Sequence, residues 1–69
     1  MVEVFKTNVE LIEQSQWLIN QIICHMPNGI VNFDLEDCDK ILRVEAESIS
    51  LRTIIDVLNK NGFHAEVLI

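Results

Sequence analysis

The sequence predicts an α+β sandwich of four strands and two helices, and three observations point to it. Two runs of apolar/polar alternation, Val31/Phe33/Leu35 and Leu42/Val44/Ala46, flank an acidic five-residue stretch, the pattern of a β-hairpin with one buried face. An apolar stripe at helical spacing precedes this hairpin, and another follows it. Finally, β-branched and aromatic residues both open and close the chain, as strands do.

In order, Val2-Glu3-Val4-Phe5-Lys6-Thr7 is the first strand, with Val2/Val4 and Phe5/Thr7 as competing inward faces. Thr7-Asn8-Val9-Glu10 has the Thr-x-x-Glu form of a capping box, so the first helix is expected to begin there. At about 100° per residue, Leu11, Ile12, Ser15, Leu18, Ile19, Ile22 and Ile23 share one side of it. Glu13, Trp17, Asn20, Gln21 and Cys24 fall on the other. Pro27-Asn28-Gly29 ends the helix, because proline cannot continue the ladder and glycine accepts a left-handed turn. After the hairpin, Ser48 or Ser50 caps a second helix with the stripe Leu51, Ile54, Ile55 and Leu58. Asn61-Gly62 stops it, and His64 to Ile69 is the closing strand.

The order β-α-β-β-α-β is that of the ferredoxin-like split βαβ. Right-handed crossovers then put both helices on one face of an antiparallel sheet ordered 4-1-3-2. In that topology the loop after strand one, the turn at Cys38 and the loop before His64 share one end of the molecule. Cys24, His25 and Met26 lie at the other. Cys24 and Cys38 are therefore expected to be free thiols, since a disulfide needs Cα atoms within about 7 Å.

Sixty-nine residues, 49% of them apolar, make one domain spanning residues 1–69, near the lower size limit for a single core. Eleven acidic and five basic residues give a net charge of −6, which repels nucleic acid and favours basic protein surfaces or cations. The RNA-recognition fold has the same topology, but its stacking aromatics are missing here. No apolar run approaches the roughly 18 residues of a membrane span, and the N-terminal residues lack the pattern of a signal peptide. The expected location is the cytoplasm.

Phe5-Lys6-Thr7-Asn8-Val9, the hairpin from Asp34 to Val44 with Asp39-Lys40-Ile41-Leu42 inside it, and Gly62-Phe63-His64-Ala65-Glu66 together resemble the heavy-metal-associated domains of copper chaperones and metal-transporting ATPases. In that family a Met-x-Cys-x-x-Cys in the first loop holds a soft ion between two thiolates. Aligned on the preceding Lys-Thr-Asn, the methionine position is Val9 and the cysteine positions are Leu11 and Gln14. Neither of the last two is a soft ligand, and thiolates are what select Cu(I). The resemblance thus implies the family scaffold without its metal motif.

Other ligand candidates are Cys24, His25, Cys38 and His64. Cys24-His25-Met26 sets sulfur, imidazole and thioether in a row, but neighbouring helical residues point about 100° apart. The plainer reading makes His25 a helix terminus and Met26 a core filler. Cys38 and His64 share an end of the domain but belong to opposite edges of the sheet, about 14 Å apart, too far to hold one ion within a single chain. The acidic turn Asp34, Glu36, Asp37, Asp39 resembles the start of a calcium loop, without the glycine at position six or the distal bidentate Glu. Its exposed carboxylates have nothing apolar around them to tune them for acid/base work. Gly29 and Gly62, the only glycines, read as helix stops rather than a phosphate loop.

No catalytic constellation is therefore expected, and no cofactor. The expected function is a non-catalytic interaction module acting with a protein partner or a second copy. Its candidate contacts are Trp17, off the helix stripe, and Ile41, Arg43 and Glu45, which alternate outward on the open sheet face. Edge strands two and four are further places where a neighbouring strand can add. The alternative is metal handling, weak or between subunits, through Cys24, His25, Cys38 or His64. A sensor holding a small ligand between subunits ranks third.

Overall fold

The alternation in Ile41–Glu45 gives this segment, β3, one buried face, and it is one of the two inner strands of the sheet. The computed structural model, which describes residues 1–68, pairs β3 with β2 (Ile30–Asp34) on one side and β1 (Val2–Thr7) on the other. Strand β4 (Ala65–Val67) pairs with the far side of β1. The order β2-β3-β1-β4, all antiparallel, is the expected ferredoxin-like sheet read from its other edge. Ile69, the last residue of the expected closing strand, lies outside the described residues.

Register settles which face is inward. Phe5 stands opposite Leu42 on one side and Val67 on the other, Thr7 opposite Ala65, Phe33 opposite Leu42, and Val31 opposite Val44. Because opposed residues project to the same face, Phe5 and Thr7 are the inward pair of β1, and both are buried. Helices α1 (Ile12–His25) and α2 (Leu51–Lys60) cover that face with Leu18, Ile22, Ile54, Val57 and Leu58. Each of these buried side chains contributes about 1.5–3 kcal/mol through burial. No described helix is long and apolar enough to cross a membrane.

The start of α1 differs from the expectation. Thr7 ends β1 instead of capping a helix, and α1 begins at Ile12 with Leu11 as its N-cap. The Thr7 hydroxyl faces inward from the strand, where it bonds to the hairpin and is unavailable to cap a helix. Val9 is fully buried in the connecting loop. The cap itself is half a capping box: Leu11 N–H donates to Gln14 Oε1 at 3.2 Å, while leucine offers no side-chain acceptor in return. Leu11, outside the helix, and Ile12, in its first turn on the side of Ile19, are both exposed. Gln21, expected on the outer side, faces α2 and accepts a 2.9 Å bond from the Asn61 side chain.

Ser50, not Ser48, caps α2, its hydroxyl accepting from Thr53 N–H at 3.3 Å. The buried stripe is Ile54, Val57 and Leu58, with Leu51 exposed at the helix start. The helix ends as expected. Gly62 has φ +87°, Gly62 N–H donates to Asn59 O and Phe63 N–H to Leu58 O, the paired bonds of a Schellman stop. Gly29 serves a different purpose from the left-handed turn expected of it. It has no positive φ, and a Cβ there would sit 3.2 Å from the carbonyl oxygens of Glu45 and Met26. A side chain there would press on the β3 end and on Met26, and glycine relieves that close approach.

Candidate functional site

Because both helices pack on one face of the sheet, the opposite face is uncovered. Alternation along the four strands decides its composition: Val2, Val4 and Lys6 from β1, Ile41, Arg43 and Glu45 from β3, Ile30, Asn32 and Asp34 from β2, and Glu66 from β4. Leu68 extends this edge, its N–H donating to Val4 O at 2.8 Å. Val2, Ile30 and Leu68 are exposed at 48%, 53% and 39%, and Val4 and Ile41 are half-buried. Apolar side chains on a solvent face lose the gain of burial until something covers them. Arg43 crosses this surface to Glu45 at 3.1 Å, so the face carries both charge signs.

Of the outward residues predicted from alternation, Arg43 is exposed, while Ile41 and Glu45 are half-buried. Trp17 lies on α1, away from this face's strands, and is 55% exposed. An indole left this open loses much of its potential burial energy in the isolated chain.

The metal candidates are dispersed. Cys24 and His25 end α1, both exposed. His25 shares a shallow hollow with Thr53, Asp56, Val57 and Lys60, which supply no sulfur. Cys38 sits in the turn between β2 and β3, and His64 precedes β4. Strands β2 and β4 are the edge strands, but Asp39 O accepts from Thr7 N–H and Thr7 pairs with Ala65, so β1 lies between the Cys38 turn and His64. Both cysteines are free thiols. The family's cysteine positions, Leu11 and Gln14, form the head of α1 and are joined by the cap bond described above.

Among the described residues, one group brings three potential ligand atoms together: Asp37, Cys38 and Asp39, within 4.8 Å of one another. The turn itself already engages these carboxylates. Asp37 Oδ1 accepts from Asp39 N–H at 2.8 Å, and Asp39 Oδ1 lies 3.7 Å from the Lys6 ammonium. Lys40 closes the turn with φ +47° and donates from Nζ to Leu35 O at 2.9 Å.

A groove between α1 and the edge strand β2 was not legible in the sequence. It encloses about 430 Å³ and is lined by Ile12, Ile19, Phe33 and Leu35 with Gln16, Asn32, Asp34 and Glu36. The exposed Ile12 is what opens it toward solvent. Seven residues apart, Ile12 and Ile19 share a side of α1, and nothing within that one segment shows that this side meets Phe33 and Leu35.

No family model, curated protein or solved structure matches this chain. The functional reading therefore depends on the chain's own surfaces.

Proposed function

We propose that the chain is a non-catalytic interaction module: a scaffold of the heavy-metal-associated kind, lacking the thiolate pair, that contacts a protein partner or a second copy through its uncovered sheet face. The observation that carries this reading is the exposure of Val2, Ile30 and Leu68 around half-buried Val4 and Ile41 on one continuous face. Trp17 supplies a separate, aromatic contact on α1. The net charge of −6 favours a basic partner over a nucleic acid.

The test compares the native chain with Val2→Asp/Ile30→Asp, two exposed positions whose change spares the core. Sedimentation of the purified chain and affinity capture from source-cell extract are both measured. The variant should lose the partner or the dimer with its thermal stability retained. Equal capture and equal mass for both chains would reject this surface.

The metal reading is kept by one observation, the closeness of Asp37, Cys38 and Asp39. It requires Cys38→Ser to abolish micromolar Cu(I) or Zn(II) binding measured by equilibrium dialysis.

A further inference from the structure

The sheet has two edges, and they differ. Strand β4 is three residues long, a length that limits pairing with a neighbour. Strand β2 is five residues long, outermost in the sheet, and runs beside the groove under α1. An edge strand keeps one row of N–H and C=O groups free to pair with another chain. Next to β2 that row lies alongside apolar side chains that the fold leaves uncovered: Ile12 at 66% exposure, with Ile19, Phe33 and Leu35 half-buried.

From this juxtaposition we infer that β2 is the docking edge for an extended peptide segment of alternating apolar and basic residues, which adds to the sheet as a fifth strand. The inference rests on the interaction-module reading and names the partner's chemistry. Side chains of an added strand alternate between the two faces of the sheet. Those on the helix side enter the groove against Ile12, Ile19, Phe33 and Leu35. Those on the other side continue the uncovered face beside Ile30, Asn32 and Asp34.

Charge selects the occupant. The groove and its rim carry Asp34 and Glu36 and no cationic side chain among their lining residues. The nearest cation in the turn, Lys40, already binds the Leu35 carbonyl. Asp34 Oδ1 accepts a 3.3 Å bond from Glu36 N–H, and lysine or arginine on the incoming strand supplies the cationic partner that the groove lining lacks. A second copy of this chain fits less well: β2 itself is Ile-Val-Asn-Phe-Asp and β4 is Ala-Glu-Val, and neither brings a positive charge to Asp34 or Glu36. Pairing five residues covers a strand length of about 17 Å, so a hexapeptide to octapeptide is sufficient.

The test uses fluorescein-labelled octapeptides titrated with the full chain and read by anisotropy, with ¹⁵N spectra to map the contact. One peptide alternates Val and Lys; a second replaces each Lys with Glu, and a third replaces two central residues with Pro to block ladder bonds. The Val/Lys peptide should bind at least about tenfold more tightly than either control. Its shifts should centre on residues 30–36 and Ile12. Ile12→Glu, at an exposed site, should weaken it by about tenfold or more, and Asp34→Lys/Glu36→Lys should invert the preference between the first two peptides.

Equal binding of all three peptides, or no binding up to about 1 mM, overturns the inference. Shifts confined to Val2, Val4, Ile41 and Arg43 overturn it while leaving the sheet-face reading standing. A concentration-dependent mass that Ile12→Glu abolishes assigns the groove to a second copy and overturns it as well.

Discussion

The hydroxyl of Thr7 donates a hydrogen bond to the main-chain carbonyl of Lys40, joining the end of β1 to the last residue of the hairpin turn. The same oxygen accepts from Val9 N–H at 3.3 Å, and Thr7 N–H donates to Asp39 O at 3.0 Å. One buried threonine thus holds the hairpin turn and the loop leading to α1. Thr7→Val keeps the shape and removes both hydroxyl bonds, leaving Lys40 C=O and Val9 N–H without these partners. Urea denaturation should show a loss of about 1–3 kcal/mol. A change within experimental error would mean that the clasp is unimportant.

Lys40 closes the turn in the left-handed region, which costs a residue with a Cβ about 1–2 kcal/mol. Lys40→Gly and Lys40→Val both lose the ammonium bond to Leu35 O, so the difference between them isolates the backbone. The glycine variant should be more stable than the valine variant by at least about 1 kcal/mol. Parity would place the turn in another conformation in solution.

Leu18 and Trp17 are neighbours on α1 with opposite surroundings, one fully buried and the other more than half exposed. Leu18→Ala should cost about 2–5 kcal/mol, and Trp17→Ala within about 0.5 kcal/mol. Tryptophan emission of the native chain should be that of a hydrated indole and quenched by iodide. Blue-shifted, unquenched emission would remove Trp17 as a contact residue.

Leu11 and Gln14 head α1, where the free N–H groups favour negative charge. Leu11→Cys/Gln14→Cys places two thiols there, and a helix N-terminus lowers thiol pKa and promotes the thiolate. If the scaffold is of the heavy-metal-associated kind, the double variant should take up one Cu(I) per chain in competition with a chelator, while the native helix head takes up none. Failure of the double variant to bind would count against that kinship.

The hairpin was legible because alternation is a period-two signal that survives any context, and Phe33, Leu42 and Val44 fell on the face it assigned. The stop of α2 was legible because glycine accepts the left-handed φ that a helix end asks for, and Gly62 adopts it. The start of α1 was not. Thr7-x-x-Glu10 is a local pattern, and it lost to a nonlocal demand, the Thr7 hydroxyl bonding a turn residue 33 positions away. The groove beside β2 is lined from both α1 and β2, which no pattern within one segment can reveal. On α2 the assigned stripe included Leu51 and missed Val57, because the packing of α2 on the sheet and on α1 set its rotation. Of the candidate site, the outward direction of Ile41, Arg43 and Glu45 followed from strand periodicity. The exposure of Val2, Ile30 and Leu68 required knowing that both helices lie on the other face.

The most direct measurement is a ¹H–¹⁵N spectrum of the labelled chain in unlabelled source-cell extract, compared with the same chain in buffer. Binding through the sheet predicts signal loss concentrated at Val2, Val4, Ile30, Ile41, Arg43 and Leu68, with the outer side of α2 unaffected. An unchanged spectrum, or losses limited to Asp37, Cys38, Asp39 and reversed by a chelator, would contradict it.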